Sequence, residues 1–295
     1  MNAKITNFKA GFVSILGKPN VGKSTLLNAL IGERLSIMTS KAQTTRHRIF
    51  GILSTSDSQI IFSDTPGVID PHYKLQERMM RFVKTSLEDA DLILYVVELD
   101  EKLDNNKNVQ HIFKSLAPKF VIINKIDQVK GSQIIDKVDY WQELFPSSQI
   151  FPVSALKKVN IDKLYRAIKL ILPYHPPYFP EDQITDKSER FVTSEIIREK
   201  IFLNYNKEVP YSCEVGIEEF KETKDILRIR AVIYVERDSQ KGIVIGKSGA
   251  SLKKVGIESR IDIETFFQKK VHLEIYVKVE KNWRKKERSL KKFGY

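Results

Sequence analysis

Along the first 172 residues, short apolar runs alternate with longer segments whose apolar positions recur every three or four residues. The runs at 12–16, 49–53, 60–62, 92–97, 120–123 and 150–152 predict strands. The periodic segments at 22–31, 74–89, 105–116, 131–144 and 160–171 predict helices. Strands that are apolar along most of their length, alternating with helices, predict an α/β fold with a mostly parallel sheet covered on both faces. Ligands of such sheets bind at the carboxyl ends of the strands. Beyond residue 188 the order changes: a helix at 189–205, strands at 213–221 and 225–236, a helix–turn–helix at 239–259, then a strand. In the second of these strands Leu227, Ile229, Ala231, Ile233 and Val235 share one face, while Arg228 and Arg230 take the other. In the last strand Leu273, Ile275, Val277 and Val279 alternate in the same way. This part reads as a small α+β domain.

Between the two patterns lie Pro173, Pro176, Pro177 and Pro180, which can continue neither a helix nor a central strand. The expected domains are 1–173, a semi-stiff connector over 174–187, 188–281, and a basic tail over 282–295. A length of 295 residues suits two domains, and 42% hydrophobic residues suffice to bury cores. The net charge of +12 is unevenly spread: residues 176–236 carry 9 basic and 13 acidic residues, and 237–295 carry 16 and 7. A basic C-terminal fifth points to a polyanionic partner. A single cysteine, Cys213, excludes an internal disulfide and reads as a small buried hydrophobe in a reducing compartment. Met1–Thr6 shows no apolar leader, and no apolar stretch approaches the roughly 20 residues that span a bilayer, so a cytoplasmic location is expected.

Gly17-Lys18-Pro19-Asn20-Val21-Gly22-Lys23-Ser24-Thr25 follows a predicted strand and opens a predicted helix. Backbone N–H groups of such a loop close on phosphate oxygens at a helix N-terminus. Lys23 would reach the β/γ-phosphates and Ser24 would hold Mg²⁺. Asp64-Thr65-Pro66-Gly67 ends the strand at 60–62; an aspartate there can hold Mg²⁺ through water, and the Gly67 N–H can sense a γ-phosphate. Asn124-Lys125-Ile126-Asp127 ends the strand at 120–123, and the Asp127 carboxylate can accept both N1–H and the 2-amino group of guanine. The lysine stem can cover the base. Ser154-Ala155-Leu156, after the next strand, would present a backbone N–H to the guanine carbonyl.

In that order these motifs make residues 11–172 resemble a P-loop GTPase domain of the Era/TrmE type. The resemblance makes 36–48 the first switch, with Thr45 (or Thr44) completing the Mg²⁺ shell. Lys23, Thr45 and Gly67 are then the catalytic residues, and Ser24, Thr45 and Asp64 the metal ligands. Val68 stands where Ras-like enzymes have a water-orienting glutamine; it belongs to the GTP-binding loop, but a valine cannot polarise water. Slow intrinsic turnover is expected. Asn20 matches a position that helps cation-dependent relatives bind K⁺.

Ile245-Gly246-Lys247-Ser248-Gly249, followed by Lys253 and Lys254, sits between two predicted helices of the basic segment. This loop lets a backbone approach nucleic-acid phosphate and clamp about four nucleotides. With its α-β-β-α-α-β order, 189–280 resembles a type II KH domain, and its pairing with the GTPase resembles the Era family. The resemblance implies a monomeric GTP/GDP switch that binds the 3′ region of 16S rRNA and assists 30S subunit biogenesis and rRNA processing. Two alternatives stand beside it: a regulatory GTPase held peripherally on the inner face of the cell membrane by its basic tail, and a constitutive RNA-binding protein with a vestigial nucleotide site. Trp283, Leu290 and Phe293 in the tail could stack on RNA, lie on lipid, or pack on their own domain.

Overall fold

The computed structural model describes residues 7–39, 41–103 and 107–295. Outside them lie Met1–Thr6, Ser40 within the first-switch segment, and the expected start of the third helix at 105–106. The described residues form two compact units. The first holds residues up to Ser36, Thr45–Pro71 and Met79–Asp186; the second holds Ile37–Thr44, His72–Arg78 and Lys187–Tyr295.

In the first unit, β1 (Lys9–Leu16), β2 (Ile49–Ser54), β3 (Ser58–Asp64), β4 (Leu92–Val97), β5 (Lys119–Ile123) and β6 (Gln149–Pro152) form one sheet in the order β2-β3-β1-β4-β5-β6. Only the β2–β3 hairpin is antiparallel. Alternate residues of β4 enter different cores. Leu92, Leu94 and Val96 pack with α1 (Lys23–Ile31) and α5 (Ile161–Ile171), whereas Ile93, Tyr95 and Val97 pack on the face of α2 (Lys74–Glu88), α3 (Lys107–Lys114) and α4 (Gly131–Leu144). Burial on both faces explains why β4 is apolar at every position. Parallel strands place the loops after β1, β3, β5 and β6 at one end of the sheet.

The proline-rich connector is not a free spacer. Tyr174 bridges Lys9, Thr185 bridges Gly51, and the side chain of Gln59 accepts from the N–H groups of Tyr178 (2.7 Å) and Phe179 (2.9 Å) while donating to the Phe179 carbonyl (2.8 Å). Tyr178 and Phe179 also pack edge-on against Phe12 and Phe50. Proline restricts the connector, but aromatic packing and one buried glutamine fix it to the sheet.

The second unit contains α6 (Glu189–Asn204), α7 (Val209–Ser212), β7 (Glu214–Glu222), β8 (Ile226–Val235), α8 (Asp238–Ile245), α9 (Ala250–Phe267), β9 (Lys270–Val279) and α10 (Glu287–Lys292). β8 pairs antiparallel with β7 and parallel with β9. Leu227, Ile229, Ala231, Ile233 and Val235 are buried and Arg228 and Arg230 exposed, as their alternation predicts. One feature departs from the sequence reading, and another decides among alternatives it left open. The helix after the glycine loop runs to Phe267 rather than 259, its β-branched last turns being held by Val255, Ser259 and Ile263 against the sheet. The basic tail packs inward: Trp283 is fully buried and donates from Nε1 to the Ser212 carbonyl (2.8 Å), Leu290 is fully buried, and Phe293 packs on Tyr234. Of the three placements open to the tail, packing on its own domain is the one the structure shows for Trp283, Leu290 and Phe293. Cys213 is also fully buried.

Trp283→Ala should cost this unit about 3–5 kcal/mol by leaving a cavity, and Trp283→Phe about 1 kcal/mol beyond its lost volume by orphaning the Ser212 carbonyl. Urea unfolding followed by circular dichroism measures both.

Candidate functional site

β1 ends in the loop Gly17–Gly22, which is wound by left-handed residues: Asn20 has φ 69° and Gly22 φ 92°. At Gly22 a side chain is barred twice, by the positive φ and because a Cβ would lie 2.3 Å from Asn124 Nδ2. The turn delivers the chain into α1, so the loop N–H groups and the helix N-terminus converge. Lys23 is 6% exposed and donates from Nζ to the carbonyls of Gly17 (3.1 Å) and Lys18 (2.7 Å). Burial lowers its pKa to about 8, against the opposing pull of Asp64 and Glu101.

Three hard oxygen donors meet beside it. Ser24 Oγ lies 2.8 Å from Thr45 Oγ1 and donates to Asp64 Oδ2 at 2.7 Å. Asp64 is fully buried, burial pushes its carboxyl up, and its Oδ1 has no hydrogen-bond partner. An orphaned buried carboxylate oxygen beside two hydroxyls fits a small hard cation. The Thr44 hydroxyl is engaged elsewhere, 2.7 Å from the Lys41 carbonyl, so the structure brings Thr45 and not Thr44 to Ser24.

After β3, Thr65 is fully buried and its hydroxyl donates to the Ile15 carbonyl (2.9 Å). Pro66 is buried, and Gly67 lies close under Pro19, where a Cβ would meet the Pro19 nitrogen at 2.7 Å. The Val68 N–H donates to the Gly17 carbonyl (3.0 Å), while its side chain, 3% exposed, joins the core around Leu16 and Ile93. Its apolar side chain is thus a packing element that also joins two phosphate-side loops through its backbone.

At the base end, Asn124 is a strut: Nδ2 donates to the Val21 carbonyl (2.8 Å) and Oδ1 accepts from the Ala155 N–H (3.0 Å). Lys125 takes a left-handed conformation and pairs with Glu98. Asp127 is exposed at the rim and accepts from Ser154 Oγ at 2.5 Å, while Ser154 and Ala155 are buried and Leu156 is exposed. Ile126 is half-buried and Thr25 is partly covered on α1. The sequence reading missed the strut and the Glu98 partner, because the first needs the loops folded together and the second belongs to no motif.

In the second unit the glycine loop joins α8 to α9. Gly246 has φ 72° and no room for a Cβ, which would lie 2.2 Å from Ser251 Oγ; Ser248 (φ 50°) and Gly249 (φ 79°) are left-handed too. The residue before the loop is anchored because the Val244 carbonyl accepts from Tyr205 Oη at 2.6 Å; burial pushes that phenol up to about 12. Beside the loop runs an open groove of about 380 Å³ lined by Gly249, Leu252, Lys253, Gly256, Ile257 and Arg260 of the loop and α9, with Leu273 and Ile275 of β9. Lys253 lines it, whereas Lys254 faces Glu258 at 3.8 Å. Ile257 and Arg260 were legible only as helical i+4 and i+7 positions from Lys253.

Residues 12–125 match the family described as 50S ribosome-binding GTPase, and residues 208–284 match the KH domain. The chain is 44% identical over 294 residues, 99% of its length and 98% of the relative's, to GTPase Era of Staphylococcus haemolyticus. Two solved structures share 40% identity and cover 98% of the chain and 99% of their own. One is Era in complex with MgGDPNP and nucleotides 1506–1542 of 16S ribosomal RNA (TM-score 0.93); the other is a point variant of Aquifex aeolicus Era bound to GDP·AlF4⁻ (TM-score 0.94).

The position of Lys23 gives a pH signature. Above about pH 8 its amine is neutral in the free chain, and a phosphate beside it favours the charged form. GDP binding at pH 9 should therefore take up protons, approaching one per site from this group, and the uptake should fade toward pH 7. Calorimetry in buffers of different ionisation enthalpy reads the sign directly, and Lys23→Ala should abolish it along with tight binding.

Proposed function

This chain belongs to the Era family of GTPases, and we propose that it works as a monomeric cytoplasmic switch that binds the 3′ region of 16S rRNA and assists assembly of the 30S subunit and rRNA processing. The observation that carries the reading is the 44% identity extending over both units, together with a relative solved with a GTP analogue and that RNA. Functionally the chain divides into a nucleotide domain (1–173), a connector (174–187), an RNA-binding domain (188–281) and a basic tail (282–295).

In this reading Gly17–Thr25 hold the phosphates through backbone N–H groups, and Lys23 offsets the charge that develops on the γ-phosphoryl group. Ser24, Thr45 and Asp64 would hold Mg²⁺, which supplies Lewis-acid stabilisation of phosphate oxygens when bound. Asp64 through Gly67 report on the γ-phosphate, since Gly67 has the close backbone approach that only glycine permits here. Asn124 keeps the phosphate loop and the base loop in fixed relation. Asp127, oriented by Ser154, selects guanine, and the Ala155 region closes on its carbonyl.

Val68 cannot orient the attacking water, so the intrinsic rate is low. A K⁺ ion beside left-handed Asn20 would supply part of the missing charge stabilisation. On the RNA side, the loop Ile245 through Gly249 approaches the backbone, Lys247 and Lys253 add charge, and the apolar groove receives bases. Lys254, paired with Glu258, contributes at longer range. The tail buries Trp283 and Leu290, which leaves basic side chains rather than an apolar face for any contact with an anionic membrane. Among the described residues no helix is long and apolar enough to cross a membrane.

Asp127→Asn replaces an acceptor pair by a mixed donor and acceptor; GTP affinity should fall by about 10³ or more, with xanthosine nucleotides preferred in its place. Nucleotide competition assays decide it. For the RNA half, Gly246→Asp should abolish binding of a single strand from the 3′ end of 16S rRNA and any stimulation by it of GTP hydrolysis in K⁺ buffer. Wild-type stimulation in that variant would refute the coupling of the glycine loop to RNA, and equal rates in Na⁺ and K⁺ would remove the cation.

A further inference from the structure

A carboxylate outside the recognised motifs stands against the cations of the phosphate loop. Glu101, in the loop after β4, has a side chain only 7% exposed, and its Oε1 lies 3.7 Å from Lys18 Nζ. It is held from several sides: Tyr95 Oη donates to Oε1 (3.5 Å), the Glu98 N–H donates to Oε2 (3.4 Å), and Lys137 donates to the Glu101 main-chain carbonyl. Burial raises the Glu101 carboxyl, and Lys18 opposes that rise.

We propose that Glu101 is a built-in competitor of the nucleotide's phosphates for Lys18, and so sets how tightly and how long nucleotide is held. The proposal rests on the assignment of Gly17–Ser24 to the phosphates. The physical ground is simple. The Lys18 ammonium gains from a nearby anion, and a fixed carboxylate supplies part of that gain before phosphate arrives. Once phosphate is bound, the same carboxylate repels it in a partly buried site where screening is weak. Both effects weaken binding, and the repulsion grows with the number of phosphate charges. The neighbouring Glu98 is engaged with Lys125 at the base loop, and Asp100 is exposed to solvent, so neither substitutes for Glu101.

The test uses the full chain with Mg²⁺, fluorescent GDP and GTP released in stopped flow, and competition with unlabelled GMP, GDP and GTP. Glu101→Gln removes the charge and keeps the shape. It should slow GTP release about tenfold and GDP release about threefold, with matching gains in affinity, and leave GMP nearly unchanged. Glu101→Asp, which retains the charge, and Asp100→Asn, which removes a charge from the same loop without contact to Lys18, should each stay within about twofold of wild type. A merely structural role predicts weaker binding in Glu101→Gln, equal for all three nucleotides. That result, or unchanged release, would overturn the proposal while loss of binding in Lys23→Ala upholds the phosphate site. Wild-type affinity in Lys23→Ala would instead overturn the site assignment and this proposal with it.

Discussion

One side-chain amide holds the nucleotide site together. Asn124 at the end of β5 reaches from the phosphate loop, through the Val21 carbonyl, to the base loop, through the Ala155 N–H. Both bonds are buried, so losing either would leave a backbone group unsatisfied, at about 1–3 kcal/mol each. The amide is also the reason Gly22 must lack a side chain, since it fills the space a Cβ would need. The fixed span between phosphate and base thus depends on one donor–acceptor residue, and a parallel sheet supplies the rigid strands that bring its partners within reach.

The two units solve the same problem with the same means. Each winds a short loop through left-handed residues into a helix N-terminus: Asn20 and Gly22 before α1, Ser248 and Gly249 before α9. They differ in what surrounds the loop. The first is bordered by buried charge, Lys23 and Asp64, suited to a compact ligand and a cation. The second opens onto an apolar groove with cationic rims, suited to flat bases on a strand.

Much of this was legible in the sequence, because the signals were local. Strand and helix positions in the first unit follow from runs and periods, and the phosphate and base loops from spacing. What was not legible depends on distant residues. Gln59 gives no hint that it holds Tyr178 and Phe179 across 119 and 120 residues, so the connector read as semi-stiff but not as fixed to the sheet. The sequence left the tail open between RNA, lipid and its own domain, and only the fold shows Trp283 finding Ser212, 71 residues earlier, and turning inward. Glu101 lies in a stretch without pattern, and only the fold brings it to Lys18. The limit of α9 was misplaced because its last turns are rich in β-branched residues, and packing overrode that weak preference.

The parallel pairing of β8 with β9 has a kinetic consequence. Ile226 faces Lys270 and Val235 faces Val279, so this pairing closes a loop of 44 residues, whereas the β7–β8 hairpin closes locally. Long closures are slow, and the hairpin should form well before β9 docks. Leu273 and Ile275, one wall of the groove, arrive only with β9. On the proposed reading, a partly folded unit would carry the glycine loop and its charge while lacking the groove that receives bases. Nascent or thermally loosened chains would meet RNA only by nonspecific, salt-sensitive attraction, and selective binding becomes a report that the last strand is in place.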